Sequence, residues 1–341
     1  MTRSASPTAI NRRNALALAA GACLAPWGAR AASPLEASLA YGSSGYTWAS
    51  PYVAEEAGFW KAENIELRTS VFESGREAMQ ALLTGSADFS ASTDTPFVLA
   101  ALNGLKPVAV ANYSRYSRDM RIAVRSDGPV DPNVPASLKG RRVATRIGTS
   151  GQYLLAKYLE LAGLKPQDVT VVDLAPGSMP TALIRGDVDA FSWSTQAIGV
   201  ARRQAPDKIA EMKLDGIERV FQSHQLLLTT ERVLKQKPEI VAAALKALYA
   251  AEQKILSDPS WPDLISARIK TPAADIRAAT STFTFKLGFD ERFVDDLVAQ
   301  ADWAIAAGLA KRPSGDVRAL LRSLIADGPT RSILPERVTL A

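Results

Sequence analysis

The chain has 341 residues, 47% of them hydrophobic and 22% charged, which is enough apolar material for two cores and rules out an intrinsically disordered protein. The formal net charge of +5 is concentrated at one end. Arg3, Arg12, Arg13 and Arg30 fall in the first 31 residues, which hold no acid, so the remainder carries +1 (5 − 4) and does not suggest the basic face of a nucleic-acid binder. One cysteine, Cys23, and one histidine, His224, argue against a disulfide framework, a zinc or transition-metal centre and a cysteine nucleophile.

In chain order, residues 1–31 read as an export signal. Arg12 and Arg13 precede an alanine-rich apolar run over 15–25, and Ala29-Arg30-Ala31 supplies the small-x-small pattern that signal peptidase cuts. Cleavage is expected after Ala31, with the mature protein in the periplasm. The paired arginines suit Sec or twin-arginine export alike, because the bulky aromatic usual after a twin-arginine pair is missing. Lipid anchoring through Cys23 is not expected, since Ala20 stands where such boxes usually place leucine. No later run approaches the roughly 20 apolar residues of a membrane span.

A strand is predicted over 35–41, followed by the loop Gly42-Ser43-Ser44-Gly45-Tyr46-Thr47-Trp48 and a helix with Pro51 in its first turn, closing at Ala57-Gly58. Tyr46 and Trp48 have no obvious core to fill on such a loop, which favours an exposed ligand surface. A strand over 65–72 leads through Ser74-Gly75 to a helix over 76–84. A short strand over 87–91 stops at Ser92-Thr93-Asp94-Thr95-Pro96, from which a helix runs to residue 101. Thr93 and Thr95 thus bring hydroxyls to a helix start.

Segments 121–124 and 225–229 are strand-like. Between them, a strand over 142–147 enters the loop Gly148-Thr149-Ser150-Gly151, and the helix beyond it ends at Gly163. Thr149 and Ser150 admit two readings: plain N-caps, or, with the free N–H groups of the helix start, a receptor for a small oxyanion. A strand over 169–174, a helix ending at Arg185 and a strand over 188–191 then deliver Ser192-Trp193-Ser194 to a rim. Residues 231–341 read as largely helical, with helices expected over 238–256, 262–269, 273–283, 291–307 and 317–326.

An internal repeat organises these elements. Ala-Leu-Leu-Thr-Gly-Ser-Ala-Asp-Phe begins at Ala81 and Ala-Leu-Ile-Arg-Gly-Asp-Val-Asp-Ala at Ala182, an offset of 101 residues (182 − 81). Ala57-Gly58-Phe59 and Ala162-Gly163-Leu164 repeat at an offset of 105 (162 − 57). Two lobes of one architecture are expected, with a cleft between their loops. Asp88 and Asp189 occupy matching places and read as structural turn or cap carboxylates.

At this point the sequence resembles the substrate-binding proteins of ABC importers of the nitrate, sulfonate and taurine type. The resemblance rests on the stretch 51–67, which contains Gly58-Phe59-Trp60-Lys61, both copies of the repeat, Thr93-Asp94-Thr95-Pro96, and Leu138-Lys139-Gly140-Arg141-Arg142-Val143-Ala144. It implies an α/β, two-lobed periplasmic-binding-protein fold of type II, each lobe a sheet flanked by helices. Lobe 1 would comprise 35–122 plus 223–341 and lobe 2 would comprise 123–222, with 121–124 and 225–229 as hinge crossings. It also implies ligand contacts from Tyr46, Thr47 and Trp48, from Thr93, Asp94 and Thr95, from Thr149, Ser150, Gly151 and Gln152, and from Trp193 and Ser194. Where many relatives carry an acid and a proline after this tryptophan, this chain has Ser194-Thr195-Gln196, so no ligand preference transfers from that corner.

Arg118 and Arg146 are further candidates, because a guanidinium pairs bidentately with a carboxylate or sulfonate; Arg115 is a weaker one. The expected ligand is a small organic anion, captured by a monomer without cofactor or metal and delivered to ABC permease and ATPase subunits. A sensor subunit, or a receptor for a neutral vitamin or pyrimidine precursor, remains open. Related folds include a desulfinase and a thiamine-pyrimidine synthase, but the cysteine- and histidine-bearing sites they would need are missing here, so no enzyme is expected.

Overall fold

The structure is a computed structural model describing Met1, residues 33–43 and residues 45–340; the expected export signal, its cleavage point and Cys23 lie outside the described residues. From β1 (Leu35–Gly42) the chain passes through α1 (Ala49–Glu56) and α2 (Phe59–Ala62) to β2 (Ile65–Phe72), then through α3 (Gly75–Leu83) to β3 (Phe89–Thr93). Then come α4 (Asp94–Leu102) and β4 (Val108–Tyr116). The middle of the chain supplies β5 (Met120–Arg125), β6 (Arg142–Thr145), α5 (Ser150–Leu161), β7 (Thr170–Asp173), α6 (Met179–Arg185), β8 (Ala190–Ser194), α7 (Thr195–Gln204) and β9 (Ile209–Glu211). The remainder is β10 (Ser223–Thr229), α8 (Glu231–Gln236), α9 (Pro238–Ser257), α10 (Trp261–Ser266), α11 (Ala273–Thr280), β11 (Thr284–Gly288), α12 (Glu291–Ala306), α13 (Val317–Ser323) and α14 (Gly328–Ile333).

These strands form a six-stranded sheet ordered β11-β4-β10-β3-β1-β2 and a five-stranded sheet ordered β7-β6-β8-β5-β9. The repeat predicted from sequence is visible in their pairing. β1 lies parallel to β2 and β3, as β6 lies parallel to β7 and β8, and Leu39 opposes Phe89 where Val143 opposes Ala190. Each central strand then meets an antiparallel neighbour, β10 beside β3 and β5 beside β8. β3 and β8 read Phe-Ser-Ala-Ser-Thr and Ala-Phe-Ser-Trp-Ser and are buried along their whole length, as strands covered on both faces must be.

Helices supply that cover. Ile240, Val241, Ala244, Leu248 and Ala251 recur at helical spacing along α9 and pack on one face of the six-stranded sheet; Phe293, Val294, Leu297 and Ala301 of α12 pack on the other. On the five-stranded sheet, Leu154, Leu155, Tyr158 and Leu159 of α5 cover one face, and Leu183 and Ile198 of α6 and α7 the other. Asp88 accepts from the Ser38 N–H and hydroxyl, while Asp189 accepts from the Arg142 N–H, so each ties its strand to the neighbouring one. Both carboxylates are structural, as their positions in the repeat suggested.

Besides β4 and β9, which the sequence reading does not mark, the structure differs from it at both crossings and in the C-terminal part. The chain leaves the six-stranded sheet after Tyr116 and joins the other at Met120, so the expected boundary between 122 and 123 and the hinge segment 121–124 fall inside β5. On the return, β10 starts at Ser223, which puts 225–229 inside the six-stranded sheet rather than between sheets. The C-terminal part is not wholly helical, because 284–288 pairs with β4 as an edge strand. There Phe285 and Leu287 are buried between exposed Thr284 and Lys286, a period-two pattern.

Candidate functional site

Three helices begin around a small cavity lined from both sheets: α3 after Ser74, α4 after Thr93 and α5 after Thr149. The first N–H groups of a helix have no intrahelical acceptor and carry its positive dipole end, so the starts of α3 and α5 make the region receptive to negative charge, whereas at α4 the Thr95 N–H is taken by Asp94 and Pro96 has none. Ser74 caps its own helix, accepting from the Arg76 N–H at 3.2 Å and donating to Glu77. Neither threonine does so. The Thr149 hydroxyl donates to the Arg146 carbonyl at 2.6 Å, which overturns the plain-capping reading of that loop. The Ser150 hydroxyl reaches from one sheet to the other, donating to Thr93 Oγ1 at 3.1 Å and lying 3.2 Å from Ser223 Oγ.

Two indoles complete the walls. Trp48 and Trp193 are 2% and 3% exposed, so the rings anticipated on an open rim are enclosed. Trp48 lies against Gly42 and Gly75, where a Cβ would fall 2.8 and 2.9 Å from the ring; Trp193 lies 2.6 Å from the corresponding point on Gly151. Any larger residue at those glycines would displace a ring. The cavity between the walls is only ≈ 20 Å³, space for a water-sized molecule. Trp48 Nε1 is buried with no hydrogen-bond partner among the described residues.

Two fully buried aspartates stand beside the cavity. Asp94, at the start of α4, accepts from the N–H groups of Thr95 (2.9 Å) and His224 (2.8 Å), from Gln300 Nε2 (2.6 Å) and from Ser223 Oγ (3.2 Å). Desolvation pushes its pKa up against those bonds. Asp119 lies in the crossing next to Met120, which lines the cavity. Its carbonyl accepts from the Thr195 N–H at 2.9 Å and its Oδ1 from the Thr195 hydroxyl at 2.6 Å, while Oδ2 has no partner among the described residues. Burial pushes this carboxyl up to about 6, opposed by Thr195 and by the charge of Arg121.

The two sheets are also joined on either side of the cavity. On one side Arg146 pairs with Glu77 at 2.6 Å and with Asp173 at 3.2 Å, and Arg76 donates to the Ile147 carbonyl at 2.7 Å. Burial would raise the Glu77 carboxyl, but hydrogen bonds from Ser74 and Arg146 hold it below the usual range. On the other side the Gly45 N–H donates to Gln196 Oε1 at 2.5 Å, and Gln196 Nε2 reaches the Ile269 carbonyl and Thr271.

Of the residues singled out from sequence, Thr47, Trp48, Thr93, Thr149, Ser150 and Trp193 line the cavity. Asp94 and Thr95 lie beneath that lining, the Thr95 hydroxyl bound to Gln300 at 2.6 Å, and Gly151 seats Trp193. Tyr46 is buried near Asp119, Gln152 accepts from the Gly148 N–H, and the Ser194 hydroxyl is buried without a partner among the described residues. The two arginines are placed elsewhere. Arg118 pairs with Glu218 on an exposed surface, and Arg146 is held by its two carboxylates, so neither lines the cavity. Sequence reasoning missed Ser74, Gly75, Arg76, Asp119 and Gln196; Ser74-Gly75 carried the same hydroxyl-glycine signal as Ser150-Gly151. His224 belongs to a buried chain with Asn112 and Asp296, away from the cavity lining.

A family model described as NMT1/THI5 like matches residues 47–261. A Brucella abortus protein described as a binding protein is 26% identical over 271 residues, 76% of this chain and 82% of its own. The alkanesulfonate-binding protein SsuA from Xanthomonas axonopodis pv. citri, bound to MOPS, shares the fold with a TM-score of 0.74 and 19% identity, over 87% of this chain and 100% of its own. The desulfurization enzyme DSZB shares it at a TM-score of 0.63 and 15% identity, over 88% of this chain and 99% of its own.

Proposed function

The chain belongs to the NMT1/THI5-like family, and from that premise we propose that it is the periplasmic solute-binding component of an ABC importer, capturing a small organic anion between two lobes. The observation that carries this reading is the convergence of the α3 and α5 starts and the Thr93, Ser150 and Ser223 hydroxyls on one buried region. Such a site receives an oxyanion on backbone N–H groups and hydroxyls, and the Arg76 guanidinium, whose Nε is buried without a hydrogen-bond partner among the described residues, also lines it. Trp48 and Trp193 then pack on an organic body, as flat apolar walls do in ligand clefts.

The lobes are the two sheets with their helices, joined at 117–119 and 220–222. Capture proceeds by closure. A ligand entering the opened cleft replaces the direct Ser150–Thr93 bond with its own oxygens, and the second lobe swings onto it. The closed form docks onto permease and ATPase subunits as a monomer. A binding role rather than catalysis is supported by the absence of cysteine after Cys23 and by the burial of His224 in a bonded chain outside the cavity lining.

Thermal unfolding against sulfonates, nitrate, aromatic acids and neutral vitamin precursors tests the reading. A ligand at a hundred times its Kd stabilises by about 2.7 kcal/mol, a shift of several degrees. The expected result is a shift with an organic anion that disappears in Ser150→Ala and Trp193→Ala. A shift confined to neutral precursors would instead make this a vitamin receptor, and turnover of a sulfinate or pyrimidine would make it an enzyme.

A further inference from the structure

Arg115, singled out from sequence but not part of the cleft cavity, lines a second pocket that shares no residue with the first. It opens where the ladder between β4 and β11 is interrupted. Phe285 opposes Ser114 and Gly288 opposes Asn112, so Lys286 and Leu287 bulge against Tyr113 alone. Glu336, Arg337 and Thr339 wall the other side, with the chain so close that a Cβ on Gly288 has no room beside the Arg337 carbonyl. The pocket volume is ≈ 40 Å³, room for about three water-sized groups.

Donors dominate this lining. Lys286 has no ion pair among the described residues, and Thr284 and Thr339 add hydroxyls. Arg115 is only loosely held, 3.5 Å from Asp290 Oδ2, while Asp290 Oδ1 is occupied in capping α12 through the Phe293 N–H. Arg337 is bound to buried Glu252 and lies 3.8 Å from the largely exposed Glu336. One acceptor stands among these groups. Asn112 is 7% exposed, and its amide nitrogen lies 3.1 Å from His224 Nδ1; that ring donates through Nε2 to Asp296 at 2.9 Å, which leaves Nδ1 to accept. Asn112 Oδ1 is thereby left buried with no hydrogen-bond partner among the described residues. An unpaired buried carbonyl oxygen calls for a donor, whereas the cations and hydroxyls around it call for acceptors. We propose that this pocket binds a small oxyanion that keeps a proton, of the hydrogenphosphate kind. Its bare oxygens accept from Lys286, Arg115 and the threonine hydroxyls, and its acidic O–H donates to Asn112 Oδ1. A fully deprotonated anion of the same shape sets oxygen against oxygen at that point.

The test is calorimetric titration of sodium phosphate and of sodium sulfate, anions alike in size and shape, into the purified protein at pH 7, where phosphate keeps a proton and sulfate keeps none. The expected result is saturable phosphate binding, at least about tenfold tighter than sulfate and weakened about tenfold in Lys286→Gln. Lys286 is exposed on an edge strand, so this variant keeps the fold. Absence of saturable phosphate binding up to about 10 mM, or equal affinity for the two anions, would overturn the inference. So would a phosphate affinity unchanged in Lys286→Gln, which would place the anion elsewhere on the molecule. Because this lining and that of the cleft are separate, each of these outcomes leaves the organic-anion reading as it was.

Discussion

The two copies of the repeat each end in a strand that turns into a helix, at Thr93-Asp94 and at Ser194-Thr195, and each turn has a buried aspartate beside it. In the first copy the aspartate belongs to the helix, and both its oxygens are bonded by groups from β10, α4 and α12. In the second copy it comes from the crossing, and only one oxygen is bonded. Both side chains have no measurable exposure, so burial does not tell them apart. Saturation does: a carboxylate with every lone pair engaged is part of the frame, and one left half-engaged is available to something that comes and goes.

Replacing the saturated member should have the largest effect. Asp94→Ala strands the N–H groups of Thr95 and His224 and the amide of Gln300, and is expected to cost roughly 3–5 kcal/mol in denaturant unfolding. A loss below about 1 kcal/mol would mean that the two aspartates do not differ as described. The half-engaged member should behave oppositely. Because the Asp119 carboxyl is pushed up to about 6 from 3.8, the folded state holds its proton over a pH range where the unfolded chain has lost it. Stability of the wild type therefore falls as pH rises through that window. Asp119→Asn, which cannot ionise, should be no more stable than wild type at pH 4 and more stable by roughly 2–3 kcal/mol at pH 7. An identical difference at both pH values would break the comparison. The smallest effect belongs to the partly exposed clasp, where Arg146→Gln should cost about 1 kcal/mol in low salt and less at high ionic strength.

Much of this frame was legible in sequence because it rests on local signals. Gly58 and Gly163, read as helix ends, both adopt positive φ, and the repeated Gly-x-x-Asp segment placed β3 and β8 at equivalent registers. β4 and β11 were not read, and both pair antiparallel with partners far away in the chain; β4 pairs with β10, more than a hundred residues later. At the site, hydroxyl and indole positions could be read from their loops. The distinction between Asp94 and Asp119 could not, since it turns on Gln300, Ser223 and Thr195 arriving from separate elements. The arginines misled for a related reason: a guanidinium's target is whichever carboxylate packing brings near, here Glu77, Asp173 and Glu218.

The two fastenings beside the cavity are chemically unlike. Arg146 with Glu77 and Asp173 is an ionic knot, whereas Gln196 with Gly45, Ile269 and Thr271 is wholly neutral. Dissolved salt loosens the first and hardly touches the second. In brine the jaws would part first along the arginine edge, like a book whose cover lifts at one corner while the opposite corner stays glued.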